Sequence, residues 1–229
     1  LSVVGEADLA DLKDLESIKA NGTLTYGEGK IAFNGGYDEA VKAFLADVDF
    51  SKVKLCLPNM PDDTVTLNGA IALMANVKEK GVDVQAAADA FDLNWRTLKV
   101  HKLGFDGSFI DGNLSVNHFS AMAGEQGSLV VNGTVAADNT LNLSGRMAEF
   151  PIEPFLSFVG QEGSGLCSTG FDVTGTVASP EFGGIVQLRE IDFMEQNIVE
   201  AHGHVAMKDN VLAITNFVAN MKKGQHILD

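Results

Sequence analysis

"VNGTVAADNTLNLSGRM", Val131–Met147, reads as two short strands joined by a turn. Val131, Gly133 and Val135 alternate with Asn132 and Thr134. Beyond Asp138-Asn139, Leu141, Leu143, Gly145 and Met147 alternate with Asn142, Ser144 and Arg146. Alternate residues of a strand point to opposite faces, so this is a β-hairpin with one apolar and one polar face. The odd element is a glycine in the apolar row of each strand. Glycine inside a strand packs nothing and marks a bend or a close approach.

The same pattern, apolar-x-Gly-x-apolar, recurs at Gly22, Gly69, Gly107, Gly133, Gly145, Gly175 and Gly203. The spacing is irregular, which excludes a solenoid of fixed period. Asn21–Gly35 reads as a hairpin turning at Gly27-Glu28-Gly29, and Asp111-Gly112 turns another. Three segments depart from the strand pattern. Glu6–Ala20, with Leu9, Leu12, Leu15 and Ile18 three apart, predicts a short amphipathic helix or turn-rich lead-in. Tyr37–Val48 predicts a short helix through Val41, Phe44, Leu45 and Val48, and Phe150–Gly160 another, opened by prolines. The expected fold is mostly β: an elongated, creased, antiparallel-rich sheet with one or two short helices. Its expected organisation is a lead-in over residues 1–51 and one continuous β region over 52–229.

If neighbouring strands bend at their glycines, the sheet creases into an open hydrophobic groove, and the glycines shape its floor. The residues expected to line it are Val65, Leu67, Ile71, Phe109, Val131, Val135, Leu141, Leu143, Met147, Phe171, Val173, Val177, Val199 and Val205. The competing arrangement is a plain sandwich, in which the same bends let strands cross between two packed sheets. The modest size of the inward residues, mostly Val, Leu, Ala and Gly, favours the groove, because a filled core interdigitates bulky side chains.

The composition narrows the function classes. With 31 Asp+Glu against 16 Lys+Arg, net −15, the chain lacks the clustered cations that nucleic acid and anionic membrane surfaces require. No apolar run is long enough for a transmembrane helix, and no signal peptide is visible. The apolar pattern is still running at Asp229, so the chain reads as an internal piece of something longer. Cys56 and Cys167 are two small buried apolar residues or, in an oxidising compartment, a disulfide. His202 and His204 share one face of a strand, the polar one, with no further ligand spaced to complete a metal site. Cys167 and Ser168 sit in a glycine-rich stretch without a His or Asp partner at a recognisable spacing. No catalytic residue, metal or cofactor is therefore expected. The Asn-x-Ser/Thr sequences at Asn21, Asn113, Asn132 and Asn142 follow from the strand style.

Leu166–Phe193, "LCSTGFDVTGTVASPEFGGIVQLREIDF", preceded by the aromatic "PIEPFLSFVG", resembles the TamB family of AsmA-like envelope proteins. The matching elements are Gly170 and Gly175 around an alternating strand, the turn carrying Pro180 and Gly183-Gly184, and a second alternating strand. The likeness is strongest over 114–229 and weakest before residue 52. It implies a β-taco groove in a periplasmic, inner-membrane-anchored protein that moves phospholipid between the two membranes. The implied partners are phospholipid acyl chains, further groove segments of the same chain and an outer-membrane β-barrel assembly protein. No covalent chemistry is implied. The alternative reading is a structural or adhesive all-β envelope protein with a closed core.

Overall fold

The structure, a computed structural model, describes residues 2–8, 19–57, 60–88, 92–95, 98–153, 156, 161–193, 196–209, 211–221 and 224–228. The chain is nearly all antiparallel β-sheet, 85% strand and 1% helix. It divides into two compact units, residues 1–111 and 112–229. Residue 52, the expected start of the β region, lies inside a strand of the first unit.

The first unit contains β1 (Ser2–Asp8), β2 (Lys19–Tyr26), β3 (Gly29–Asp38), β4 (Ala43–Leu57), β5 (Met60–Lys78), β6 (Gly81–Ala87), β7 (Asp92–Trp95) and β8 (Leu98–Ile110). They pair in chain order from β1 to β6, then β6 with β8, while β7 bridges β5 and β8. The second unit is a meander of β9 (Asn113–Ala123), β10 (Gly127–Val135), β11 (Leu141–Pro151), β12 (Gly163–Thr176), β13 (Ser179–Phe193), β14 (Gln196–Lys208), β15 (Val211–Met221) and β16 (Gly224–Leu228).

The helix expected over Tyr37–Val48 is instead the end of β3, a turn and the start of β4. Asp38 decides this: its carboxylate oxygen accepts the N–H groups of Ala40 (2.9 Å) and Val41 (3.3 Å), which closes a turn where a helix would have to continue. Phe44, Ala46, Val48 and Phe50 then alternate inward. Of the lead-in helix, Glu6–Asp8 are strand and residues 9–18 lie outside the described residues. At Phe150–Gly160 the first two residues close β11. A single helical turn follows, in which the Leu156 N–H donates to the Ile152 carbonyl at 3.0 Å, and residues 154, 155 and 157–160 lie outside the described residues.

Bulges set the phase of the long strands. In β4, Ser51 and Lys52 together oppose Asn68 of β5. The Asn68 side-chain oxygen accepts the Lys52 N–H at 2.8 Å, so the donor thrown out of the ladder is still satisfied. In β11, Ala148 and Glu149 oppose Ser168, whose hydroxyl accepts the Glu149 N–H at 3.0 Å. Glu190 in β13 and Asn216 in β15 sit at like register shifts against β12 and β14. Lys52, Glu149, Glu190 and Asn216 all have φ between 48° and 53°, as does Lys102 in β8 at 50°. Each bulge moves the next apolar residue back to the inward face. Without it, a strand that turns with the sheet would point Val53, Phe150, Ile191 or Phe217 into water.

A non-glycine residue in the left-handed region costs about 1–2 kcal/mol. Lys52→Gly keeps the backbone N–H that Asn68 accepts. It is therefore expected to raise stability by about 1 kcal/mol, seen as a higher urea midpoint with an unchanged slope.

Candidate functional site

Directly opposed residues of antiparallel strands share a face, so the register traces one surface across each unit. In the second unit one row runs Phe119, Val131, Gly145, Phe171, Gly184, Val205, Ile214 from β9 to β15. The next row is Val116, Gly133, Leu143, Val173, Phe182, Met207, Leu212. On the other side of the first lies Ala121, Leu129, Met147, Thr169, Val186, Gly203. Their flanking positions, such as Asn132, Ser144, Asp172 and His204, form the opposite, polar face. The first unit repeats the arrangement: Leu24, Ile31, Phe50 and Gly69 make one row, and Gly22, Phe33, Val48 and Ile71 the next.

The apolar face is sealed in places and open in others. Cys167 (7% exposed), Ile152, Ile191, Ala201 and Ala219 form a buried cluster in the second unit. Val53, Val65, Leu67 and Ala88 form another in the first. Away from these, Val131, Val135, Leu141, Leu143, Met147, Phe171, Val173 and Val205 are all half-buried, as is Ile71 in the first unit. The described strands of the second unit lie on one hydrogen-bonded path, and in the first unit β7 pairs β5 and β8 beside that path.

Five expected lining residues sit elsewhere than on these half-covered rows: Val65 and Leu67 are sealed in the buried cluster of the first unit, and three others are more exposed. Phe109 is 54% exposed next to the end of β8, although the register keeps it opposite Val82. Val177 is in the turn between β12 and β13 and 59% exposed. Val199 is the extra residue of a bulge between Ile198 and Glu200, and 54% exposed. There the phase changes: Ile198 takes the inward place that unbroken alternation assigns to Val199.

In the second unit Gly203, Gly145, Gly133 and Gly175 fall on four successive rows rather than on one line. Several face an aromatic ring. A Cβ on Gly145 would meet the Phe171 ring, with Cε1 and Cε2 at 2.9 Å, and one on Gly203 would lie 3.1 Å from Phe217 Cδ2. Gly22 opposes Phe33, and Gly69 opposes Phe50. The Phe171 ring in turn stacks on Phe182, with centroids 5.6 Å apart. The bare glycine backbone thus gives a neighbouring ring room to lie across it, which flattens the face.

Groups with chemical potential are disposed otherwise. Cys167 is free, and burial pushes its thiol up to about 11. The raised value favours the neutral thiol in the folded state. Its stabilising contribution is complete below the unfolded thiol pKa of about 9 and is lost as the pH rises from there toward 11. Alkylating reagents at pH 8 are expected to leave Cys167 unmodified in the folded protein and to modify it in urea, read by intact mass. The Ser168 hydroxyl is occupied by the Glu149 N–H. His202 and His204 are exposed on the polar face. Among the described residues no group of His, Cys, Asp or Glu is placed to hold a metal ion, and no helix is long and apolar enough to cross a membrane. The side chain of Cys56 lies outside the described residues.

No family model, curated protein or solved structure matches the chain.

Proposed function

We propose that the apolar face is a bed for phospholipid acyl chains. On this reading the chain is a segment of a TamB-like protein of the periplasm, anchored in the inner membrane, that carries phospholipid between the inner and outer membranes and supports outer-membrane assembly and integrity. Further groove segments of the same chain would prolong the face, and an outer-membrane β-barrel assembly protein would receive it. No covalent step is involved.

The observation that supports this reading is the continuous one-sided apolar face, half-exposed from β9 to β15. Seven strands span six spacings of ~4.8 Å, about 29 Å. That is about twice the depth of one leaflet of bilayer hydrocarbon. Removing a methylene from water is worth ~0.8 kcal/mol wherever it lands on such a surface, with no hydrogen bond to make or break. A chain held in this way slides from row to row, which suits carriage rather than capture.

The test is to purify the protein without detergent, extract it with organic solvent and measure phospholipid by mass spectrometry. Bound phospholipid is expected; a lipid-free monomer overturns the reading in favour of a closed structural protein. Leu143→Arg sharpens it. Leu143 is half-buried, so the variant is expected to keep its far-ultraviolet circular dichroism and to lose most of its lipid. Unfolding of that variant would place Leu143 in a filled core.

A further inference from the structure

Resting on the lipid-carrying reading, we infer that Ile152 and Leu156 are a built-in occupant of the apolar face: they fill part of the bed, and an acyl chain that takes that part must displace them. Both belong to the helical turn that follows β11. Ile152 is 9% exposed and sits in the buried cluster with Cys167, Ile191, Ala201 and Ala219, and Leu156 packs against that cluster. Register puts the cluster on the same face as the half-exposed rows. Phe150, Cys167, Leu188, Ala201 and Ala219 oppose one another in turn, one row beyond Met147, Thr169 and Val186. Phe150, Cys167, Ala201 and Ala219 are all buried there.

The seat is shaped for these two side chains. Beneath them β12 carries Gly163 and Gly165. A Cβ on Gly163 would stand 2.8 Å from Leu156 Cδ1, and one on Gly165 3.1 Å from Ile152 Cδ1. Bare backbone admits two aliphatic side chains here, as it admits the rings of Phe171 and Phe217 elsewhere. What Ile152 and Leu156 give the face is aliphatic area, which is also what an acyl chain offers, so the two compete for one surface. The turn is tied by few polar contacts among the described residues. The Ile152 N–H donates to the Gly165 carbonyl at 3.1 Å, and the Gln161 N–H to the Leu156 carbonyl at 2.9 Å, beside the Leu156–Ile152 bond. Between the two apolar residues, Glu153 Oε2 is buried without a hydrogen-bond partner among the described residues. A carboxylate oxygen kept from water opposes the seated turn, because water solvates it once the turn lifts. Aliphatic burial thus holds the turn against a polar penalty, the balance of a contact that yields to a competing apolar chain.

The experiment incubates the whole chain with phosphatidylcholine vesicles, re-isolates it without detergent and measures phospholipid per chain. The variants are Ile152→Ser with Leu156→Ser, which empties the seat, and Glu153→Leu, which removes the opposing carboxylate. The double variant is expected to carry about twice the wild-type phospholipid and Glu153→Leu about half, since one frees and the other locks a shared surface. Hydrogen exchange of the wild type supplies a second readout. The Leu156 and Gln161 amides are expected to exchange about threefold faster when vesicles are added, because displacement breaks their bonds to the Ile152 and Leu156 carbonyls. Equal phospholipid on all three proteins, or exchange that is unchanged or slowed by vesicles, overturns the inference and leaves the lipid-carrying reading intact. Phospholipid on none of them overturns the reading beneath it. Should the double variant fail to fold, Glu153→Leu and the exchange rates decide, and a rise in phospholipid on Glu153→Leu overturns the inference.

Discussion

Gly133→Ala is expected to cost more than about 3 kcal/mol. Gly133 has φ +133°, a conformation that residues with a side chain rarely adopt. A Cβ there would run into the carbonyl oxygen of Asn142 and stand 2.7 Å from Leu143 Cα. Both obstacles are backbone of the paired strand, so no side chain can rotate away; β10 and β11 would have to separate within their ladder. The position is crowded because β9 carries Asn117 and His118 against Asn132 alone, which forces the chain through a tight bend between two partners. Gly170→Ala is the control. Nothing lies within 4 Å of its Cβ position, so it is expected to be neutral or to gain up to about 1 kcal/mol from the stiffer unfolded chain. Urea midpoints of the two variants check both statements. A loss below about 1 kcal/mol at Gly133 would mean that the hairpin relaxes freely.

The strands themselves were legible because period-two alternation survives over most of their length, and the polar face was placed correctly down to His202 and His204. What alternation cannot report is its own interruption. Phe50-Ser51-Lys52-Val53, Val100-His101-Lys102-Leu103, Met147-Ala148-Glu149-Phe150, Leu188-Arg189-Glu190-Ile191 and Ile214-Thr215-Asn216-Phe217 each place two apolar residues three apart with a polar or small pair between them. In a helix that spacing marks one face; inside a strand it marks a bulge. A positive-φ residue sits at the third position of every one. Extending the alternation through such a break put Val199 inward in place of Ile198. The same three-and-four spacing in Val41, Phe44, Leu45 and Val48 suggested a helix where Asp38 closes a turn. The glycine rows were visible, but their partners were not. Register pairs Gly145 with Phe171, twenty-six positions along the chain, and no local pattern carries that information.

That pairing makes the effect of a valine at Gly145 depend on a residue in the next strand. With Phe171 present, Gly145→Val is expected to cost about 2–3 kcal/mol, since its branches would occupy the volume of the ring and Phe182 stacks on that ring and limits its retreat. With Phe171→Ala the obstacle is gone. What remains is the ordinary preference of an extended strand for a β-branched residue over glycine, which is worth up to about 1 kcal/mol. The substitution is therefore expected to change sign, destabilising the wild-type background and stabilising the Phe171→Ala background. A double-mutant cycle of urea midpoints reads this directly, and a coupling below about 1 kcal/mol would show that the ring does not occupy the glycine site. The cycle also separates two roles for glycine on this surface. If the coupling holds, Gly145 makes room for an aromatic side chain that levels the apolar face. An acyl chain on that face would then rest on the ring of Phe171 and not on bare backbone.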